Sequence, residues 1–231
     1  MTTPGPGEVP RTARQADALA RAVAVLDRLR SPGGCPWYAV QTHASLLPYA
    51  VEEAHELVEA VEAGDRAGLR EELGDVLLQV LVHARVAEEH EDDPFDVADV
   101  AEALVAKLVR RNPHVFAADG DEGIDVAAVL ERWDRLKRAE KPTRTSALDG
   151  VPATIGALAR AQKLVARADQ AGLLAAAPPS TRPVGDAADV EALGDALLGL
   201  VAAAHRAGVD TEAALRRATA TWEAAARRAE G

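Results

Sequence analysis

Apolar side chains recur at three- and four-residue intervals through most of the chain, and no stretch shows the two-residue alternation of a strand. Leu19, Ala22, Val23, Leu26 and Leu29 form the first such face and predict a helix over 13–30. The run Ser31-Pro-Gly-Gly-Cys-Pro36 breaks it. A second helix is predicted over 45–63, with Leu46, Ala50, Ala54, Leu57 and Val61 inward and Glu52, Glu59 and Glu62 outward. Residues 64–68 make a turn, and a third helix follows over 69–89. Its stretch 76–87 is apolar almost all round, with Leu78, Val82 and Val86 opposite Leu77, Val80 and Ala84. A helix of that kind must be covered on both sides, one by its own bundle and the other by a partner subunit. Further helices are predicted over 97–111, ended by Asn112-Pro113, and over 126–140. With no hairpin signal of the Asn-Gly type, the expected fold class is all-α, a helical bundle.

The chain also repeats itself. Leu73-Gly74-Asp75 followed by Val-Leu-Leu returns as Leu193-Gly194-Asp195 followed by Ala-Leu-Leu. This implies two tandem helical repeats, the second degenerate: Ala192 stands where Glu72 stands, and the irregular stretch 175–185 replaces an acidic helix. Thr221, Ala224 and Ala225 likewise stand where Lys107, Arg110 and Arg111 do. The expected organisation is a disordered tail over 1–12, a catalytic domain over 13–140, a linker over 141–154 and a structural or dimerising repeat over 155–231.

Composition narrows the chemistry. Hydrophobic residues make up 48% of the 231 residues and aromatics 3%, so the core is built of Ala, Leu and Val. A formal net charge of -11 argues against a nucleic-acid surface, and an anionic substrate needs a cation or a local basic cluster. Cys35 is the only cysteine, which is consistent with a reducing compartment. The first residues show no charged-then-apolar leader, and no run reaches the length of a membrane span, so a cytoplasmic protein without membrane contact is expected.

Two constellations carry the candidate chemistry. Glu53 with Glu56, and Glu72 with Asp75, place carboxylates three positions apart on two successive helices. Four oxygen donors at one spot repel unless a hard cation, Mg²⁺ or Mn²⁺, sits among them. Lys107, Arg110 and Arg111 form a cationic face suited to phosphate oxygens, or simply a favourable helix C-terminus. Trp133 and Lys137 could stack on a base and meet phosphate, or be a core Trp beside a surface Lys. Trp37 is either a loop anchor or a base-stacking residue, with Gln41 and Thr42 beside it as hydrogen-bonding groups. There is no phosphate-binding P-loop, dinucleotide fingerprint, zinc spacing or nucleophile elbow.

The ordered set Arg28-Leu-Arg-Ser-Pro-Gly-Gly-Cys-Pro-Trp37, Gln41-Thr-His43, Glu52-Glu53-x-x-Glu56, Glu72-x-x-Asp75, Lys107-x-x-Arg110-Arg111-Asn-Pro-His-Val-Phe116 and Trp133-x-x-x-Lys137 resembles the MazG family. It covers 20–140 closely and continues through Leu148-Asp-Gly-Val-Pro152 and Arg160-Ala-Gln-Lys163. The resemblance implies Mg²⁺-dependent hydrolysis of NTPs or dNTPs to monophosphate and pyrophosphate by a homodimer, a house-cleaning of nucleotide pools. In that picture Glu53, Glu56, Glu72 and Asp75 hold metal and Glu52 orients a ligand or water. Lys107, Arg110 and Arg111 neutralise phosphate, while Trp133 and Lys137 complete the pocket. Tyr38 departs from the Asp that often follows Cys-Pro-Trp in the family, and the second repeat lacks the acids, so activity is assigned to the first. A narrower hydrolase for dUTP or damaged nucleotides, and a non-catalytic nucleotide- or protein-binding regulatory module, are the competing readings.

Overall fold

The computed structural model describes residues 11–117, 123–140, 143–175 and 189–230, and every regular element among them is a helix. The expected tail and the irregular stretch 175–185 fall almost wholly outside the described residues. The chain divides into two compact units, 1–124 and 125–231. The division precedes the helix Val126–Ala139, which the sequence reading had kept with the catalytic domain.

The first unit holds α1 (Arg11–Arg30), α2 (Pro36–Ala39), α3 (His43–Ala63), α4 (Arg66–Ala87), α5 (Val97–Arg111) and α6 (Pro113–Phe116). The two short helices were not expected. Each opens on a proline, whose fixed φ and missing N–H suit a first helical turn. α3 begins at His43 because Thr42 and Ser45 form a reciprocal cap, the Thr42 Oγ1 accepting from the Ser45 N–H at 3.1 Å and the Ser45 Oγ from the Thr42 N–H at 2.9 Å. Gly64 ends α3 at a φ of +67°, and Asp65 starts α4 at once by accepting from the Ala67 N–H at 2.9 Å. The turn is therefore shorter than the sequence suggests, and α3 and α4 form a tight antiparallel hairpin.

Leu26 from α1, Leu46 from α3, and Leu81 and Val82 from α4 make the core of this unit, with Val23, Leu29, Tyr38, Leu77 and Val97 packed around them. The expected inner face of α3 is only partly right. Leu46 is buried and Ala50 and Leu57 are half-buried, but Ala54 and Val61 are exposed. They belong to a second stripe with Leu47 and Val51, and Leu73 and Val80 of α4 are exposed as well. The hairpin thus has one covered apolar face and one that a single chain leaves open.

The second unit holds α7 (Val126–Ala139), α8 (Ala157–Gln170), α9 (Val190–Arg206) and α10 (Thr211–Glu230). Val165 of α8 packs against Val201 and Ala202 of α9. α10 is tied to α8 where the Gln162 Oε1 accepts from the Thr211 N–H at 3.0 Å and its hydroxyl at 2.5 Å. Ala192, at the position of Glu72, is buried, and α8 carries no glutamate.

Near its open end the α3–α4 hairpin is closed by two histidines. The Nδ1 atoms of His43 and His83 lie 2.7 Å apart, with rings stacked at 9° and centroids 5.0 Å apart. One proton serves that contact; a second would set two N–H groups against each other. Burial first, and then the His43 charge, hold the His83 pKa below its ordinary value. A depressed folded pKa means that the unfolded chain binds more protons, so this contribution is full above about pH 6.5 and is lost as pH falls. His43→Gln is expected to cost roughly 0.5–1.5 kcal/mol at pH 7.5. In urea melts the gap to the parent chain should narrow toward pH 5.5; a gap independent of pH would contradict the shared-proton contact.

Candidate active site

The α3–α4 hairpin sets its acids in the seam between the helices. Glu53 falls on the side of α3 that carries Leu46, Ala50 and Leu57, and it is half-buried, as are Glu72 and Asp75 of α4. Glu56 is exposed. One carboxylate oxygen from each of Glu53, Glu56 and Glu72 comes within 4.8 Å of the other two. Asp75 stands outside that triad but is close enough to act electrostatically on Glu53, Glu72 and Tyr38.

The carboxyl of Glu53 is pushed above its ordinary range, first by burial, then by Asp75, Glu56 and Glu72, and by a hydrogen bond with Glu56. Glu72 is raised too, first by desolvation and then by Glu56, Asp75 and Glu71. Every charge moving these two groups is another carboxylate. The cluster stores repulsion that a bound cation would relieve, and its all-oxygen donor set suits a hard divalent ion. Glu53, Glu56 and Glu72 are the residues placed to share one, with Asp75 beside them.

The segment between α1 and α3 forms an aromatic edge. Gly33 takes a φ of +77°, and at Gly34 a Cβ would stand 2.4 Å from the carbonyl oxygens of both Arg28 and Leu29. That closeness lets the Cys35 N–H donate to the Leu29 carbonyl at 2.7 Å and turns the chain sharply into α2. Trp37 is 43% exposed and meets Tyr38 and Tyr49 edge-on, at centroid distances of 4.9 and 5.7 Å. Gln41 turns inward instead of toward a ligand. Its Nε2 donates to the Trp37 carbonyl at 2.9 Å and its Oε1 accepts from the Ser45 hydroxyl at 2.6 Å. Thr42 is likewise occupied as the cap of α3. Tyr38 stands out in the sequence only as a departure from the family pattern, and Tyr49 carries no signal there. The hydroxyl pKa of Tyr38 is raised, first by burial and then by Cys35 and Asp75, which keeps a neutral phenol near the acids.

The candidate cations lie on later helices than these acids. Lys107, Arg110 and Arg111 lie on the C-terminal half of α5, whose first residue, Val97, is the one that joins the core. None of the three is among the groups moving Glu53 or Glu72. Trp133 and Lys137 sit on α7 in the second unit, with the Lys137 ammonium 5.7 Å from the Trp133 ring centroid, a cation–π contact. The structure brings Glu53, Glu56 and Glu72 together and sets Tyr38 of the aromatic edge near enough to Asp75 to feel its charge.

The MazG nucleotide pyrophosphohydrolase domain matches residues 41–116, a span with all four carboxylates and the three α5 cations. A nucleoside triphosphate pyrophosphohydrolase of Escherichia coli (strain K12) is 36% identical over 223 residues, covering 88% of this chain and 83% of that protein. One from Mycolicibacterium smegmatis is 48% identical over 167 residues, 71% of this chain, and the match covers 50% of that longer protein. A crystal structure of a MazG-related protein from Thermotoga maritima is 31% identical, covering 52% of this chain and 98% of that one, with a TM-score of 0.43. The chain belongs to the MazG family of nucleotide pyrophosphohydrolases.

Proposed function

We propose that this chain hydrolyses nucleoside triphosphates to the monophosphate and pyrophosphate, with Mg²⁺ held by Glu53, Glu56 and Glu72 and assisted by Asp75. The observation that carries the reading is the convergence of three carboxylate oxygens within 4.8 Å, where the charges acting on Glu53 and Glu72 are other carboxylates. Mn²⁺ would suit the same donors. The family membership and the names of its relatives support the reaction class.

In the reaction one water adds and the bond between the α- and β-phosphoryl groups breaks, giving two products and a proton. The bound cation supplies charge neutralisation and a lowered pKa for coordinated water. The chain's own part is to hold that oxygen set rigid across the hairpin, to offer the Trp37 edge to the nucleoside, and to direct Lys107, Arg110 and Arg111 at phosphate oxygens. The open apolar face of Leu47, Val51, Val61, Leu73 and Val80 supports a homodimer. Sanitation of nucleotide pools is the role we assign to the activity.

Three outcomes are expected. With Mg²⁺, a panel of NTPs and dNTPs should yield monophosphate and pyrophosphate, abolished by EDTA, and Glu56→Gln should lower kcat/KM by about a hundredfold or more. Diphosphate and orthophosphate products, or no turnover, would sink the reading. Because raised carboxylate pKa values oppose folding once pH climbs past them, Glu53→Gln in EDTA should raise the Tm at pH 8 and do so far less at pH 4. A loss of stability at both pH values would show that the acids are not mutually repelling. Finally, the 24.2 kDa chain should elute at about twice that mass, with Leu47→Glu shifting it to the monomer; a monomeric parent chain would remove the homodimer.

A further inference from the structure

We infer that Arg30, the last residue of α1, is the positioning residue for the nucleoside end of this site. The inference rests on the pyrophosphohydrolase reading and adds a residue that touches neither phosphate nor the acids.

The Arg30 side chain is 7% exposed and divides its donors between two places. Its Nη1 donates to the carbonyls of Tyr38 and Gln41 at 2.7 and 3.0 Å, and its Nε and Nη2 hold both oxygens of Glu89 at 2.9 and 2.8 Å. Glu89 lies just beyond the end of α4 and is braced in turn by Arg85, at 2.9 Å, which also reaches Asp27 of α1 at 2.8 Å. The hydrogen bond from Arg30 comes first among the causes that keep the Glu89 carboxyl below its ordinary range, so the pair is fully charged at neutral pH. The two carbonyls it takes bracket the turn that follows α2. Gln41 ties the same turn back to the Trp37 carbonyl, so the backbone at and just after the Trp37–Tyr38 edge is held by one guanidinium and one amide. Lysine could not do this, since one ammonium cannot span two carbonyls and a bidentate carboxylate.

The position of Glu89 fixes what Arg30 controls. Ala87, where α4 ends, is twelve residues beyond Asp75, about 18 Å along the helix axis, and Glu89 lies past that end, so the ion pair is remote from the oxygen cluster. Losing it lets the aromatic edge drift while leaving the oxygen cluster of α3 and α4 in place. The consequence falls on binding of the nucleoside, not on the chemical step.

The experiment uses the full chain with Arg30→Lys and Glu89→Gln, the second retaining the guanidinium where the first unfolds. Amide exchange over 36–42 is read by mass spectrometry, and steady-state kinetics use the triphosphate turned over fastest. Inorganic triphosphate, which lacks a nucleoside, serves as a competitive inhibitor. We expect exchange over 36–42 and KM each to rise about tenfold, kcat to stay within about threefold, and inhibition by inorganic triphosphate to be unchanged. Unaltered exchange, a fall in kcat at constant KM, or weakened inhibition in step with KM would overturn the proposal. If the parent chain turns over no triphosphate, the underlying reading falls and takes this one with it; an active parent with unchanged variants removes the Arg30 role alone.

Discussion

Four carboxylates sit in one seam because α3 and α4 run antiparallel in a single register, and the rest of the first unit is arranged around keeping that register. Gly64 reverses the chain in the left-handed region and Asp65 begins α4 without a spacer, so there is little slack at the closed end. At the other end Leu46 packs with Leu81 and Val82, and His43 meets His83. The core supplies the favourable term and the acids spend part of it, since Glu53 and Glu72 are each pushed toward protonation by their neighbours. A site that opposes folding without a cation is one in which binding and stability are linked.

Much of this was legible from residue types. The carboxylates at three-residue spacing on consecutive helices named the cluster, and an acid entering the apolar run of α4 marked it as more than a solvated face. What the sequence could not reveal was set by geometry across elements. Gln41 and Thr42 read as ligand-facing polar groups, yet a loop that turns this sharply must satisfy its own carbonyls and helix end, and both side chains are taken up by that. Ala54 and Val61 read as core because a helical period does not distinguish a face covered by the same chain from one left for another. Arg30 stands in the quoted motif before Trp37 but shows no role there, because its partners are backbone carbonyls and a carboxylate 59 residues away.

The second unit packs its helices differently from the acid-bearing hairpin. Ala192, three residues before Asp195 as Glu72 is before Asp75, is buried, and the α8–α9 pair closes on Val165, Val201 and Ala202 with no carboxylate cluster among the described residues. The remaining acid at the end of α8, Asp169, makes an ordinary surface pair with His205 at 3.0 Å. Packing of this kind asks only for small apolar residues at helical spacing. The repeated Leu-Gly-Asp is thus a better marker of common helical architecture than of common chemistry.

The adjoining glycines before α2 carry a different lesson, about which changes this family member can absorb. Gly33 is bound by its backbone angle and Gly34 by the two carbonyl oxygens 2.4 Å from where a Cβ would be. A side chain at Gly33 is strained and one at Gly34 clashes with backbone, so both positions resist change even though neither touches the acids. Variation in the segment is channelled to its other side chains instead, and half-buried Tyr38, set in a rigid frame, is where such variation meets the site. A chain built this way can change what its pocket presents without changing where it is.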